Sequence, residues 1–305
     1  MVTSRHYWIY PLKIIPVFLV VTLLCLSVPA PASQDKIPVS VSIAPLKYML
    51  KQVGGEQVKV SVMVSSGANP ATYEPNPSQM AGLSDTELYF AIGVPFESSW
   101  LERFSKVNKD MRIVRLDQEV KKRTLATEYD QDAELDKKQA EINKDPHVWL
   151  SPVLMRIMSL KVMQVLSGMD PGHESQYRQN YLEFCREINR LDKRILDMFS
   201  GTKKRQERFM CLHPAWGYLA RDYGLKQIPI ELEGKTPGPQ EMKKVISIAR
   251  DKDIQTIFVQ PQFSGKKAKT IAKSINAQVV ALDPLAYDWS DNLLKMAKKI
   301  SKALR

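Results

Sequence analysis

Tyr177, Tyr181, Phe184, Ile188, Leu191, Ile195 and Met198 follow one another at alternating steps of four and three. Steps of that size place all of them on one face of an α-helix. Asp170 and Pro171 ahead of them supply an N-cap and a first-turn proline. The spacing therefore predicts one helix of about 28 residues, roughly 40 Å long, which matches the length of a whole lobe. A coiled-coil seam is the other reading of such a stripe, but only about four heptads are present. The flanking segments are also of a different kind, so the helix is read as an intramolecular strut packed against both lobes.

Those flanks alternate short strands with helices, the pattern of α/β layers. Before the stripe, strands are expected at 39–43, 58–64 and 87–92, with a helix near 46–53. After Gly201 come strands at 209–212, 227–230, 256–260 and 278–282, interleaved with helices at 216–223, 239–250 and 266–275 and a closing helix from Asp291. The expected fold class is α/β: two lobes, each a mainly parallel sheet flanked by helices, joined by one long rigid helix. The boundaries are 33–168 for the N-terminal lobe, 169–200 for the linking helix and 201–305 for the C-terminal lobe. A chain of 305 residues, 44% apolar and 25% charged, is long enough for two cores. Residues 117–144 interrupt the rhythm with many charges and few large apolar groups, and are read as a long mobile loop of the kind found as a lid or as disorder.

The first 32 residues stand apart. Arg5 and Lys13 precede an apolar run from Ile14 to Val28, and Ala30-Pro31-Ala32 offers small residues for a signal peptidase. The run is shorter than the roughly 20 residues a membrane span needs, so residues 1–32 are read as a cleaved signal peptide and the mature chain as periplasmic. Leu24 stands before Cys25 where a lipobox needs a small residue, which argues against a lipid anchor. The formal charge of +11 loses only two basic residues on cleavage, so the mature protein stays basic. Its lysines lie on solvated helix faces without interleaved aromatics, and export also argues against a nucleic-acid partner. Cys185 and Cys211 remain after cleavage, either as one disulfide or as two buried thiols.

Two of the mature chain's histidines sit in dense contexts: Asp145-Pro146-His147-Val148-Trp149-Leu150 and Cys211-Leu212-His213-Pro214-Ala215-Trp216-Gly217-Tyr218. A histidine beside a tryptophan is commonly a structural, hydrogen-bonded residue. Position favours a ligand role, because His213 and Asp283 each follow directly on an expected strand. In open α/β sheets, ligands bind beyond the carboxyl ends of the strands. Two imidazoles and a carboxylate form a sensible donor set for zinc; Asp283 also reads as the cap of a turn before Pro284.

The run Ser66-Gly67-Ala68-Asn69-Pro70-Ala71-Thr72-Tyr73-Glu74-Pro75-Asn76-Pro77-Ser78-Gln79 resembles the first metal-site loop of the zinc and manganese solute-binding proteins of ABC importers. The segments around His147 and His213, Glu233-Gly234-Lys235-Thr236-Pro237 and Asp283-Pro284-Leu285 fall in that family's order, from about Pro38 to the end. The resemblance implies a monomeric periplasmic receptor that captures a divalent metal ion between its lobes and hands it to an ABC transporter membrane permease. It implies metal ligands at His147, His213 and Asp283, and the histidine at 213 points to zinc ahead of manganese. Ala71 occupies the family's first histidine position, Gln260 replaces an acidic residue near the site, and the 117–144 loop holds no histidine.

Two rivals follow from those departures. The same receptor fold can carry an altered cargo: another metal, a chelated metal or none. A zinc hydrolase is the other, since three protein ligands plus water is a catalytic arrangement and Glu74 is a conceivable base. No Gly-x-Ser-x-Gly elbow occurs in the mature chain, and Pro229 stands where a P-loop ending at Gly234-Lys235-Thr236 needs its first glycine. The chain is therefore read as a non-enzyme.

Overall fold

The computed structural model describes residues 1–4, 6, 36–125, 144–200, 206–231 and 238–305. Most of the expected signal peptide, the middle of the 117–144 loop and Glu233-Gly234-Lys235-Thr236-Pro237 lie outside the described residues. No helix among the described residues is long and apolar enough to cross a membrane.

Two four-stranded parallel sheets organise residues 35–305, which form one compact unit. The first is built from β1 (Ile37–Val41), β2 (Val58–Val62), β3 (Leu88–Ala91) and β4 (Arg112–Arg115) in the order β2-β1-β3-β4. Its register pairs Val39 with Val60 and Val41 with Phe90. The second holds β5 (Arg208–Cys211), β6 (Lys226–Pro229), β7 (Thr256–Val259) and β8 (Gln278–Ala281) in the order β6-β5-β7-β8. Both orders reverse direction beside the first strand, between β1 and β3 and between β5 and β7. Those reversals are the topological switch points at which an open sheet leaves a crevice for a ligand.

Helices cover the sheets: α1 (Ala44–Gly54), α2 (Pro77–Gly82), α3 (Glu97–Val107), α4 (Pro152–Met169), α5 (Glu174–Ser200), α6 (Gly217–Asp222), α7 (Pro239–Asp251), α8 (Lys266–Ile275) and α9 (Trp289–Ala303). The expected strut is α5, 27 residues long. It buries Tyr177, Phe184, Ile188, Leu191, Ile195 and Phe199, and packs on α1 and α4 before the strut and on α9 after it. The sequence places the cap at Asp170; the structure inserts a 3₁₀ turn, Pro171–His173, before the α-helix begins. Asp170 holds that turn from outside, since its Oδ2 accepts from the Tyr177 hydroxyl and the His173 ring, both at 2.7 Å.

One apolar core runs from β1 through α5 to α9, and a smaller one lies on the far face of the second sheet. The period-two alternation of a strand explains the division. Phe209 and Cys211 point into the large core, whereas Met210 and Leu212 point into the small one. Cys211, fully buried, and Cys185, half-buried, are free thiols, and burial pushes the Cys211 thiol well above its ordinary range.

The 117–144 stretch begins in ordered structure. Asp117 is buried and bridged by Arg115 at 2.9 Å and Lys122 at 2.8 Å. Thr124 pairs with Lys144 in an isolated antiparallel bridge, which closes the loop at its base. The Arg123 amide donates to the Tyr218 hydroxyl at 3.1 Å.

Candidate metal-binding site

His147 enters the site from the segment joining the first sheet to α4. It caps a short 3₁₀ turn, Val148–Leu150, whose side chains are all buried. His213 follows β5 at the switch point of the second sheet. The two imidazoles approach edge to face with ring centroids 5.2 Å apart. His213 also stacks on Phe263 at 4.7 Å, and His147 lies 5.2 Å from the Trp149 ring.

Each ring is oriented by a carboxylate. His147 Nδ1 lies 2.7 Å from Asp145 Oδ1, and His213 Nδ1 lies 3.0 Å from Glu231 Oε2. A carboxylate only accepts, so each Nδ1 carries a proton, and the tautomer this selects places the lone pair of a neutral ring on Nε2. A carboxylate on the far ring nitrogen fixes tautomer and direction in histidine metal ligands. Burial lowers the His213 pKa, opposed by the Glu231 hydrogen bond, and the neighbouring His147 adds to the lowering. The ring is thereby kept in its neutral, electron-donating form near pH 7.

Backbone contacts fix both histidines further. The His147 amide donates to Asp145 Oδ1 at 3.0 Å, so one carboxylate holds main chain and ring together. Gln260 is buried, and its Nε2 donates to the His213 carbonyl at 2.8 Å. An ionised carboxylate there would have no proton for that carbonyl, so Gln260 has become a clamp. The Tyr218 hydroxyl meets the Asp145 carbonyl at 3.1 Å. Gly217 is required beside it, because a Cβ there would fall 2.7 Å from Asp145 Oδ2.

Asp283 is positioned differently. Its Oδ1 accepts from Gln262 Nε2 at 2.7 Å and from the Leu285 amide at 3.0 Å, which is the turn-capping role the sequence also suggests. Among the described residues, no group of three or more His, Cys, Asp or Glu side chains is gathered as a metal-holding cluster. The structure thus brings His147 and His213 together and leaves Asp283 engaged by Gln262. Ala71 is exposed on the Ser66–Gln79 loop, its amide donating to Asn69 Oδ1 at 2.9 Å. That loop is tied down by Tyr73 and Gln79: the Tyr73 hydroxyl donates to Gln79 Oε1 at 2.7 Å, and Gln79 Nε2 to the Met63 carbonyl at 2.6 Å. Glu74 is exposed on the same loop. Sequence reasoning missed Glu231 and Asp145 as orienting groups. Asp145 stands two residues from His147, but Glu231 is separated from His213 by 18 residues and reaches it only because β5 and β6 pair.

Residues 39–305 match the family model for the periplasmic component A of the zinc-uptake complex, ZnuA. The chain belongs to this family. It is 27% identical over 263 residues to the high-affinity zinc uptake system protein ZnuA of Bacillus subtilis, covering 84% of this chain and 81% of that protein. It is also 27% identical over 258 residues to a putative metal-binding protein of Chlamydia trachomatis, covering 84% and 88%. A crystal structure of ZnuA superposes with a TM-score of 0.82 at 38% identity, covering 89% of this chain and all of that one. The fold expected from the sequence, two parallel sheets around a long helix, is the fold of the family.

Proposed function

We propose that this protein is a monomeric periplasmic receptor that captures one divalent metal ion, zinc ahead of manganese, and passes it to the membrane permease of an ABC importer. Residues 33–168 and 201–305 act as its two lobes and 169–200 as the connector. The observation that carries this reading is the pair of imidazoles from opposite lobes, 5.2 Å apart, each with Nδ1 on a carboxylate. Both rings then offer Nε2 to a common ion at about 2.0 to 2.1 Å. Asp283 joins as third ligand once Gln262 releases it, and with alanine at position 71 a further coordination position stays open.

Zinc titration of the purified protein, with His147→Ala, His213→Ala and Asp283→Ala alongside, tests the assignment. One ion per chain is expected in the wild type, near-complete loss in either histidine variant, and a smaller loss in the Asp283 variant. Unchanged titration in both histidine variants would remove these residues from the site. Capture rather than catalysis also predicts no hydrolase activity in the zinc-loaded protein.

A further inference from the structure

The segment that carries His147 belongs to the first lobe by chain order, yet its hydrogen bonds reach the second. Helix α6 follows the His213 turn and meets that segment at both ends. At the near end the Tyr218 hydroxyl donates to the Asp145 carbonyl at 3.1 Å. At the far end the Ser151 hydroxyl donates to Asp222 Oδ2. Between them the buried Trp149 indole donates to the Pro284 carbonyl at 2.8 Å, and Trp289 Nε1 donates to the Trp149 carbonyl at 2.7 Å. Tyr218, Asp222, Pro284 and Trp289 all lie in the second lobe.

Tyr218 closes a ring of three hydrogen bonds. Its hydroxyl accepts from the Arg123 amide at 3.1 Å and donates to the Asp145 carbonyl, and the Asp145 amide donates to the Arg123 carbonyl at 2.9 Å. Bonds linked in this way polarise and strengthen one another. The Arg123 guanidinium adds a bond to the Gly217 carbonyl. The Tyr218 side chain is fully buried, and burial pushes its hydroxyl pKa up to about 12, so the donated proton stays in place at neutral pH. On the other side, Gln227 from β6 fixes the turn between His213 and Tyr218. Its Oε1 accepts from the Trp216 amide at 3.0 Å and its Nε2 donates to the Pro214 carbonyl at 3.3 Å. Asp145 in turn holds the His147 amide and ring. A continuous chain of contacts therefore runs from the His213 turn through Tyr218 to His147.

We propose that Tyr218 is a positioning residue that locks the His147 segment onto the helix after His213, so that the two histidines form one preassembled unit carried by the second lobe. The inference rests on the receptor reading above and deepens it: capture needs no closure of one histidine upon the other. An ion that binds only the aligned pair is held with an affinity reduced by the fraction of time the pair is aligned. With the Tyr218 hydroxyl in place that fraction stays close to one. Without it, Trp149 and Ser151 still hold the far end of the segment, but the Asp145 carbonyl loses its tie to the second lobe. Asp145 then carries the His147 ring out of register.

The test compares Tyr218→Phe with Tyr223→Phe. The second variant also removes a hydrogen-bonded tyrosine hydroxyl, but one that donates to Asp192 Oδ1 on the linking helix at 2.7 Å and not to Asp145. Both should lower the Tm of the metal-free protein. At free zinc fixed by a chelator buffer, Tyr218→Phe should bind about tenfold more weakly, as a pair aligned about a tenth of the time would, while Tyr223→Phe binds as the wild type does. In the metal-free proteins, solvent exchange of the His147 Nδ1 proton, followed by NMR, should quicken in Tyr218→Phe alone. Wild-type zinc affinity in Tyr218→Phe, an equal loss in both variants, or unchanged exchange of the Nδ1 proton would overturn the proposal. If zinc fails to bind the wild type, the receptor reading falls instead, and the exchange measurement still decides the role of Tyr218.

Discussion

Trp149→Phe is the most informative single change to the scaffold of the site. The Trp149 indole is fully buried, and its Nε1 donates to the Pro284 carbonyl at 2.8 Å, which ties the His147 segment to the residue after Asp283. A second bond runs back, from Trp289 Nε1 to the Trp149 carbonyl at 2.7 Å. Phenylalanine keeps the second bond and most of the packing but removes the first donor. The Pro284 carbonyl is then buried without a partner, a cost of about 1–3 kcal/mol. The smaller ring adds a cavity term of roughly 1 kcal/mol. Together the loss should be about 2–4 kcal/mol. For domains of 150–250 residues each kcal/mol moves Tm by roughly 2–4 °C; this chain is longer, so the low end applies and a drop of about 4–8 °C is expected. Calorimetry of the metal-free protein measures it, with Trp100→Phe as a control on the surface of α3, where the indole is only half-buried. Zinc affinity should fall as well, because Pro284 carries Asp283 with it. A Tm within about 1 °C of wild type, with zinc affinity unchanged, would refute the argument that this bond couples the two sides of the site.

Other expectations follow from single contacts. The His213 pKa is lowered in the folded chain, so between that value and the unfolded one, about 6.5, the unfolded chain binds more protons. Stability from this group is complete above about pH 6.5 and is lost as pH falls toward the lowered value, which melting curves of metal-free wild type and His213→Asn compare directly. Gly217→Ala forces a Cβ to within 2.7 Å of Asp145 Oδ2, and by disturbing the group that orients His147 it should weaken zinc binding by about 10–100-fold; unchanged affinity would show that Asp145 does not set the ring. Ala71→His should tighten zinc binding by about tenfold or more and raise Tm in excess zinc, and a titration identical to wild type would take position 71 out of the site. Mass spectrometry of the exported protein should give an N-terminus near Ser33, and an intact leader would contradict cleavage after Ala32.

The parts of the fold legible in the sequence are those with one buried face. The stripe from Tyr177 to Met198 announced α5 because water covers its other side, and the second sheet's strands stood out between turn residues. The missed elements lack that contrast. The helix α4 has buried Pro152, Leu154, Met155, Met158, Ser159, Val162, Val165 and Leu166, an apolar surface too broad to read as a stripe. The edge strand β4 is four residues, Arg112 to Arg115, with charged ends, and nothing in so short a run separates it from loop. The start of the 117–144 stretch looked loop-like because its order comes from ion pairs at Asp117 and from Tyr218, about 100 residues away, and not from local apolar periodicity.

The site was legible only in part for a related reason. His147 and His213 drew notice because each sits in a dense aromatic motif, and the strand before His213 pointed it toward the crevice. What makes them a pair is contributed by residues with no local signature: Glu231 from the end of the neighbouring strand, Gln260 from the strand on the other side, Asp145 held by Tyr218 across the lobes. Parallel pairing places the ends of β5, β6 and β7 side by side, so Glu231 meets the His213 ring and Gln260 its main chain although both are far away in sequence. The loss of an acid at 260 then acquires a structural meaning. Position 260 is buried, and a carboxylate there would carry the desolvation cost of a buried charge. The neutral amide avoids that cost and supplies the donor that the His213 carbonyl uses. Asp283, which follows β8 in the same sheet, keeps its carboxylate on the Gln262 amide instead.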